Sequence, residues 1–449
     1  MNIKLSYYGW MVTRHLVNTH QLHLGDSPEN DLLLDLWTGL CAPYADSALH
    51  NSMLDRKLIE LADNSVTREE IQLRCQRNPF EHVEKAIFEV TTYCNFNCEH
   101  CYNAQVPRLT ETDPTVLIKA ADTLIRMGVR RFDFVGGEVS RYGDGWLDVV
   151  EDIRSQGADI VISLYTNGWW LEQENFKAAG QLYASTQTYL AELKRRGVSH
   201  VVFSLDGPSE LHDASRNQAG LYQRILRGLV QVKEADLVPR VSLLIRPEWT
   251  GEEVETFLAE PATIIYDLDP LTPARKRALR LSLDSTNSIS SFIDIGNGAG
   301  DDRIQFPILD EPEHALYCRN FYRLNPSLTI KANGELATCR LSQAGEGYGN
   351  LHQQSLIETI NHFDEAFVYQ LHASRQLEKY LPLVDRSLFG SAFTHLCSLR
   401  SIVTLLARMM HEQAVSFDDL PAIQRINREV ALLTGHLPTR NQSEGVEQG

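Results

Sequence analysis

The segment Cys94-Asn-Phe-Asn-Cys98-Glu-His-Cys101-Tyr102 sets three thiols at a Cx3Cx2C spacing. Three thiolates on so short a loop can each hold one iron of a [4Fe–4S] cube. The fourth iron is then left without a protein ligand, open to a substrate or cofactor. A structural zinc ion is the competing use; it takes four ligands, and His100 is the nearby fourth.

Three further segments carry groups suited to holding a ligand. Gly136-Gly137-Glu138 combines two residues that let a ligand approach the backbone with a carboxylate able to hold an ammonium. Thr166-Asn167-Gly168 and Ser204-Leu205-Asp206-Gly207-Pro208 offer polar side chains among turn residues. Each alone is an ordinary turn. Their weight comes from position, because each ends a strand expected from the pattern around it.

From Ala86 the chain alternates strand and helix. Strands are expected at Ala86–Val90, Arg131–Val135, Asp159–Leu164, His200–Leu205 and Val238–Ile245, with helices at Val116–Met127, Trp146–Ile153, Tyr189–Arg196 and Leu221–Glu234. Continuous apolar strands separated by helices predict a parallel sheet covered on both faces. Five βα units are visible, and a sixth strand falls at either Thr263–Tyr266 or Ser291–Ile295. The sum is an α/β fold, a partial or full (β/α) barrel with its chemistry at the C-terminal ends of the strands.

Residues 1–82 read as a small N-terminal module, with helical spacing at Leu32–Leu40 and Met53–Leu61 and a capping box, Thr67 to Glu70, opening a helix through Cys75. It is either a packing extension of the barrel or a substrate-recognition module. Residues 83–310 hold the barrel. Residues 311–437 open with a hairpin signal, Leu328–Lys331, Asn333-Gly334 and Leu336–Cys339, and continue as helices at Ser355–Ile360, Glu365–Tyr380, Ala392–Met410 and Leu420–Leu433. Residues 438–449 are polar, and a disordered tail is expected.

The 449 residues carry a formal net charge of −17, which argues against a nucleic-acid partner. No apolar run reaches the length of a membrane span, and no signal peptide is visible. Of eight cysteines, three crowd into one loop, which suits a metal in a reducing cytoplasm better than a disulfide framework. Cys41 and Cys75 read as core residues.

The Cx3Cx2C loop, Gly-Gly-Glu, Thr-Asn-Gly and the run Ser204-Leu-Asp-Gly-Pro-Ser-Glu-Leu-His212-Asp213-Ala-Ser-Arg216 together resemble the radical S-adenosylmethionine (SAM) superfamily. Within it they are similar to enzymes with a SPASM or twitch extension. The resemblance covers residues 86–247 well and 318–351 fairly. It implies a partial (β/α)6 TIM-like barrel, a [4Fe–4S] cluster on Cys94, Cys98 and Cys101, and SAM on the open iron. One electron would then release a 5′-deoxyadenosyl radical that abstracts a substrate hydrogen. By resemblance Gly136, Gly137 and Glu138 hold the methionyl amine, and the backbone of Tyr102 meets the adenine. Asn167 and Ser204 lie near the ribose or methionyl end. Arg216 pairs with the carboxylate, as a guanidinium can bidentately; otherwise it is a solvated surface arginine. Val139 departs from the family, which usually has proline there.

Cys318-x15-Gly334-x4-Cys339, followed by Tyr348-Gly349-Asn350-Leu351, resembles the opening of a SPASM domain, although the dense cysteine block of a full one is missing. The best fit is one auxiliary cluster on Cys318, Cys339 and Cys397 with an open or non-cysteine fourth position. Without a cluster, Cys318 and Cys339 are loop thiols, and Cys397 is a buried helix cysteine or a hydrogen-atom donor. The resemblance further implies an electron donor such as a flavodoxin or ferredoxin. The favoured substrate is a ribosomally made precursor peptide that is crosslinked, epimerised or oxidised. The alternatives are dehydrogenation of a small molecule such as a sugar or aminoglycoside, and a non-catalytic iron–sulfur scaffold.

Overall fold

A computed structural model describes residues 2–39, 41–62, 67, 80, 83–101, 103, 111–143, 145–245, 251–266, 288–291, 327–337, 342, 345–389 and 396–437. Its centre is a nine-stranded sheet. Strands β4 (Lys85–Thr91), β5 (Arg131–Gly136), β6 (Val161–Thr166), β9 (His200–Leu205), β10 (Val238–Ile245) and β11 (Ser288–Ser291) lie side by side in that order, all parallel. Helices α4 (Pro114–Arg126), α5 (Gly145–Ser155), α6 (Thr186–Arg196), α7 (Ser209–Arg216), α8 (Leu221–Glu234) and α9 (Gly251–Tyr266) alternate with them, as a partial (β/α)6 barrel requires.

The sixth strand belongs to neither expected segment as written. Thr263–Tyr266 is the end of α9, while Ser288–Ser291 begins just before the second candidate and pairs with Ser242–Ile245 of β10. Both faces of the sheet are not alike either. Ala86, Phe88 and Val90 alternate with Lys85, Ile87 and Glu89, so opposite faces carry different chemistry. On one face Phe88 meets Phe132 and Phe134 edge-to-face, and Phe134 meets Trp146 of α5. On the other, Lys85 Nζ lies 3.2 Å from Asp133 Oδ2, and the Tyr165 hydroxyl donates to the same oxygen at 3.3 Å. The barrel interior is therefore polar, although the strands read as continuous apolar runs in the sequence.

Local sequence explains the helix ends. Asp113 accepts from Thr115 N at the start of α4, where Pro114 fixes the first turn. Ser185 and Thr188 form a capping box on α6, which stops at Gly197 with φ 110°. That box follows a feature missed in the sequence: a hairpin, β7 (Glu174–Ala178) and β8 (Gln181–Ser185), set apart from the main sheet.

The N-terminal module is a three-stranded antiparallel sheet, β2 (Ala42–Pro43), β1 (Asn2–Leu5) and β3 (Ile59–Ala62) in that order, with helices α1 (Tyr7–Asn18), α2 (Pro28–Gly39) and α3 (Ala48–Asp55). The expected helix Met53–Leu61 is broken. Lys57 adopts φ 58°, the Leu58 amide returns to Met53 O at 3.0 Å, and the chain leaves as β3. Helix α1 presses on this corner so closely that a Cβ on Gly9 would sit 1.8 Å from Leu58 O. The module shares one core with the barrel and the C-terminal segment: Tyr7 packs on Phe363 of that segment at 5.2 Å, and His15 Nε2 lies 3.3 Å from Arg130 Nη2, just before β5. The capping box at Thr67 and Cys75 falls outside the described residues except for Thr67 itself.

On the far side of β4 the sheet continues. β12 (Ser327–Ile330) runs parallel to β4, and β13 (Glu335–Ala337) and β14 (Gly349–Asn350) follow antiparallel, with Gly334 at φ 80° in the expected turn. The C-terminal hairpin is thus an extension of the barrel sheet. Behind it stand α10 (Leu356–Asn361), α11 (Phe367–Ala373), α12 (Leu377–Tyr380), α13 (Arg386–Phe389), α14 (Leu396–Glu412) and α15 (Leu420–Thr434). The single helix expected at Glu365–Tyr380 is two, separated at Arg375 with φ 52°. Helices α14 and α15 build their own core from Leu399, Val403, Leu406, Ile423 and Val430. The expected tail at 438–449 lies outside the described residues. No helix among the described residues is long and apolar enough to cross a membrane.

A buried ion pair joins hairpin to barrel. Lys331 Nζ, just past β12, lies 2.9 Å from Glu89 Oε2 inside β4, and both side chains are almost fully enclosed. Removing one partner of such a pair leaves an uncompensated buried charge, at a cost of roughly 3–5 kcal/mol. Lys331→Met should therefore lower the thermal midpoint strongly. The double variant Lys331→Met/Glu89→Leu should recover most of the loss; a single variant with an unchanged melt would show that the pair fastens nothing.

Candidate active site at the cysteine loop

Strand β4 ends at Thr91 and delivers Tyr93 and Cys94 to the C-terminal rim of the barrel. What fixes this exit is β5. Gly137 N donates to Thr91 O at 2.8 Å and Glu138 N to Tyr93 O at 2.7 Å. A Cβ on Gly136 would meet Thr91 O at 2.3 Å, and one on Gly137 would meet Tyr93 O at 2.1 Å. The two glycines therefore admit the neighbouring backbone that carries the cysteine loop, a nearer demand than approach by a ligand.

Glu138 is 1% exposed, and its carboxylate is enclosed by protein donors. Oε1 accepts from Ser140 Oγ at 2.6 Å, Ser140 N at 3.3 Å and Thr166 Oγ1 at 2.8 Å; Oε2 accepts from Asn167 N at 2.7 Å. Burial pushes its pKa up, while these donors act in the opposite direction. Glu138 thus ties the Gly-Gly-Glu turn to the Thr-Asn-Gly turn, and Oε2, with one donor, is the oxygen with room for an ammonium. Asn167 reaches onward: Nδ2 donates to Asn95 Oδ1 at 3.1 Å and lies 3.8 Å from Cys94 Sγ. Trp169 Nε1 donates to Ser140 Oγ at 2.7 Å and completes the relay. Ser140, Asn95 and Trp169 were not singled out in the sequence; their proximity to the named motifs is the signal that marked them.

Arg216 is not a solvated surface residue. It is 9% exposed and grips Asp206 with two bonds, Nε to Oδ2 at 2.5 Å and Nη2 to Oδ1 at 3.0 Å. Burial alone would raise the Asp206 pKa, but Arg216 and His100 outweigh it and hold the carboxyl well below its usual range. His212, fully buried, accepts from Asp206 N at 3.1 Å through Nδ1, and burial pushes its pKa down to about 4. Asp213 has a purely structural task, accepting from Gly220 N and Tyr222 N to start α8. Ser204 lies half-buried on the polar face of β9, paired in register with Ser242.

The three loop thiols lie within electrostatic reach of one another, and Cys94 and Cys98 also lie within reach of the Arg216 guanidinium. Burial pushes Cys94 up to about 11 and Cys98 up to about 12; Glu138 adds to the rise at Cys94, and Arg216 opposes it at Cys98. Thiols so placed are protonated until a metal takes them, because coordination deprotonates them outright. Among the described residues no three His, Cys, Asp or Glu side chains close on a single point as one metal ion demands. A soft, three-thiol donor set with a nearby cation and an amide aimed at one sulfur instead suits a larger, anionic iron–sulfur cluster. Of the remaining expected site residues, Tyr102, Cys318 and Cys339 lie outside the described residues. Cys397 sits in α14, one turn before Arg400 and Ser401.

Glu138→Ala would leave Ser140, Thr166 and Asn167 with buried donors as well as removing the carboxylate. SAM affinity should fall about 10–100-fold, the value of a charge-assisted contact. Thr166→Val removes one donor and spares the carboxylate, so it should cost stability with little change in SAM affinity. Equal SAM binding by Glu138→Ala and the unaltered protein would remove Glu138 from the ligand site.

The family description "Radical SAM superfamily" matches residues 88–260. Over 154 residues the chain is 31% identical to the Fe-coproporphyrin III synthase of Methanosarcina barkeri, covering 33% of each. It is 25% identical over 219 residues to the antilisterial bacteriocin subtilosin biosynthesis protein AlbA of Bacillus subtilis, covering 46% of this chain and 44% of that one. The chain thus spans between a third and a half of these two curated relatives. Streptococcus suis SuiB bound to precursor peptide SuiA aligns with TM-score 0.43 at 13% identity over 80% of this chain and 78% of that one, too loose a likeness to bear on function. With its thiol loop, Gly-Gly-Glu turn and parallel strands now in place, residues 88–260 match a radical SAM domain, the kind of domain that holds a [4Fe–4S] cluster and SAM.

Proposed function

We propose that this enzyme modifies a ribosomally made precursor peptide in a reducing cytoplasm, drawing electrons from a flavodoxin- or ferredoxin-type donor. When bound, cluster and SAM supply a 5′-deoxyadenosyl radical that removes a hydrogen atom from the substrate. The chain's own residues hold and orient. Cys94, Cys98 and Cys101 carry the cluster. Gly136, Gly137 and Glu138 hold the methionyl ammonium, with Oε2 of Glu138 as the acceptor. Asn167, Ser204 and the Tyr102 backbone flank the rest of SAM, and Arg216 offers its guanidinium edge beyond Asp206 to the carboxylate. Cys318, Cys339 and Cys397 hold one auxiliary cluster.

The observation that carries the peptide reading is the N-terminal module. Its sheet ends at β3, which pairs only with β1 among the described residues, and Leu61 on it is 48% exposed. An open strand edge accepts a peptide by β-addition, with backbone hydrogen bonds supplying affinity. The relative AlbA, named for bacteriocin biosynthesis, supports the same class. Helix α1 abuts the segment before β5, at the end of the barrel opposite the thiol loop. The recognised part of the peptide and the modified residue are then separated by a spacer; about ten extended residues would span ~33 Å. Dehydrogenation of a small molecule needs no such remote edge.

Because the module shares the barrel core, deleting it would confuse docking with folding. Leu61→Asp is the cleaner test. With a precursor-like peptide encoded beside the gene as substrate, KM for peptide modification should rise about ten-fold or more. Uncoupled formation of 5′-deoxyadenosine should not change. Unaltered peptide kinetics would remove the recognition role and move the small-molecule reading ahead.

A further inference from the structure

The thiol loop is held at its second half as well as its first, and the holder is the segment that carries Arg216. Glu99 N donates to Ser215 O at 3.0 Å. His100, between two cluster cysteines in sequence, places Nδ1 2.9 Å from Ser215 Oγ and Nε2 3.4 Å from Asp206 Oδ2. Asp206 is 2% exposed and is also the carboxylate that grips Arg216. One imidazole faces both groups, with Nε2 turned to the Asp206 carboxylate and Nδ1 to the Ser215 hydroxyl.

We propose that His100 is a positioning residue that references the Cys98–Cys101 half of the loop and the guanidinium of Arg216 to one buried carboxylate, Asp206. The loop and α7 are separated by more than a hundred residues of chain, yet this bridge makes them a single rigid unit. Its two ends have different duties. The Ser215 end fixes the loop backbone and hence the spacing of the thiols. The Asp206 end fixes the orientation of Arg216. Disturbing His100 therefore affects iron retention and SAM affinity through separable contacts. The inference rests on the reading that this loop carries the cluster.

The test uses reconstituted holoenzyme and four proteins: unaltered, His100→Ala, His100→Asn and His100→Gln. Two quantities are read: the rate of iron loss to a chelator, and the SAM dissociation constant from a titration. His100→Ala should lose iron about ten-fold faster and bind SAM about ten-fold more weakly, each a change of ~1.4 kcal/mol. Asparagine presents its amide where Nδ1 stood, so His100→Asn should restore iron retention alone. Glutamine reaches the Nε2 position, so His100→Gln should restore SAM affinity alone. Unaltered values in His100→Ala would overturn the proposal. So would loss of both properties together in all three variants, which is what a space-filling role gives. If the unaltered protein takes up no iron, the cluster reading itself fails, and that outcome is distinct from either. Hydrogen exchange at the Glu99 amide of the metal-free protein supplies a readout free of the cluster, and it should quicken in His100→Ala but not in His100→Asn.

Discussion

The site depends on one close approach. The backbone of Gly136 and Gly137 lies against Thr91, Thr92 and Tyr93 so tightly that no side chain fits between them. This contact decides where β4 stops, and with it where Cys94 emerges. It also sets Glu138 beside the loop, because the next amide after the two glycines is the one bonded to Tyr93 O. Everything further out is hung from this junction: the carboxylate of Glu138 orders Ser140, Thr166 and Asn167, and Asn167 reaches back to Cys94. A motif that reads as a ligand cradle is first a seam between two strands.

Charge in the barrel is arranged in balanced pairs, and one of them lies at the rim near the thiols. Asp206 and Arg216 neutralise one another in nearly complete burial, which is tolerable only because the geometry is bidentate. Lower in the barrel, Glu89 is balanced by Lys331 and Asp133 by Lys85. The polar interior this creates is unlike the wholly apolar centre of a filled TIM barrel. It suits a cavity that must receive charged ligands and hold them away from bulk water. The C-terminal hairpin takes part in the same interior through Lys331, so barrel and extension form one working unit.

The chemistry-bearing turns were legible because they combine unusual residues with a strand end: Cx3Cx2C, Gly-Gly-Glu, Thr-Asn-Gly and the Asp206 turn all emerge where the pattern placed them. The roles inside them were less so. Arg216 read as a ligand for SAM or a surface residue, whereas its first partner is Asp206, ten residues earlier and brought near by α7. His100 read only as a fourth zinc ligand, since nothing local reveals a contact with Ser215. Strand β11, with sequence Ser-Ile-Ser-Ser, has too little apolar content to announce itself. The β7–β8 hairpin exposes Leu182 and buries Phe176 and Tyr183, an alternation too short to stand out. In the N-terminal module, Met53 to Leu61 keeps helical spacing across a chain reversal at Lys57, and periodicity cannot see a single positive φ.

The central claim is that Cys94, Cys98 and Cys101 hold a cluster whose open iron binds SAM beside Glu138. Electron paramagnetic resonance of the anaerobically reconstituted, dithionite-reduced protein, recorded with and without SAM, tests this most directly. The account predicts a reduced-cluster signal that changes shape when SAM is added. That response should vanish when the three cysteines are replaced by alanine, while iron held by the auxiliary set remains. Zinc in place of iron, or a signal indifferent to SAM, would contradict it.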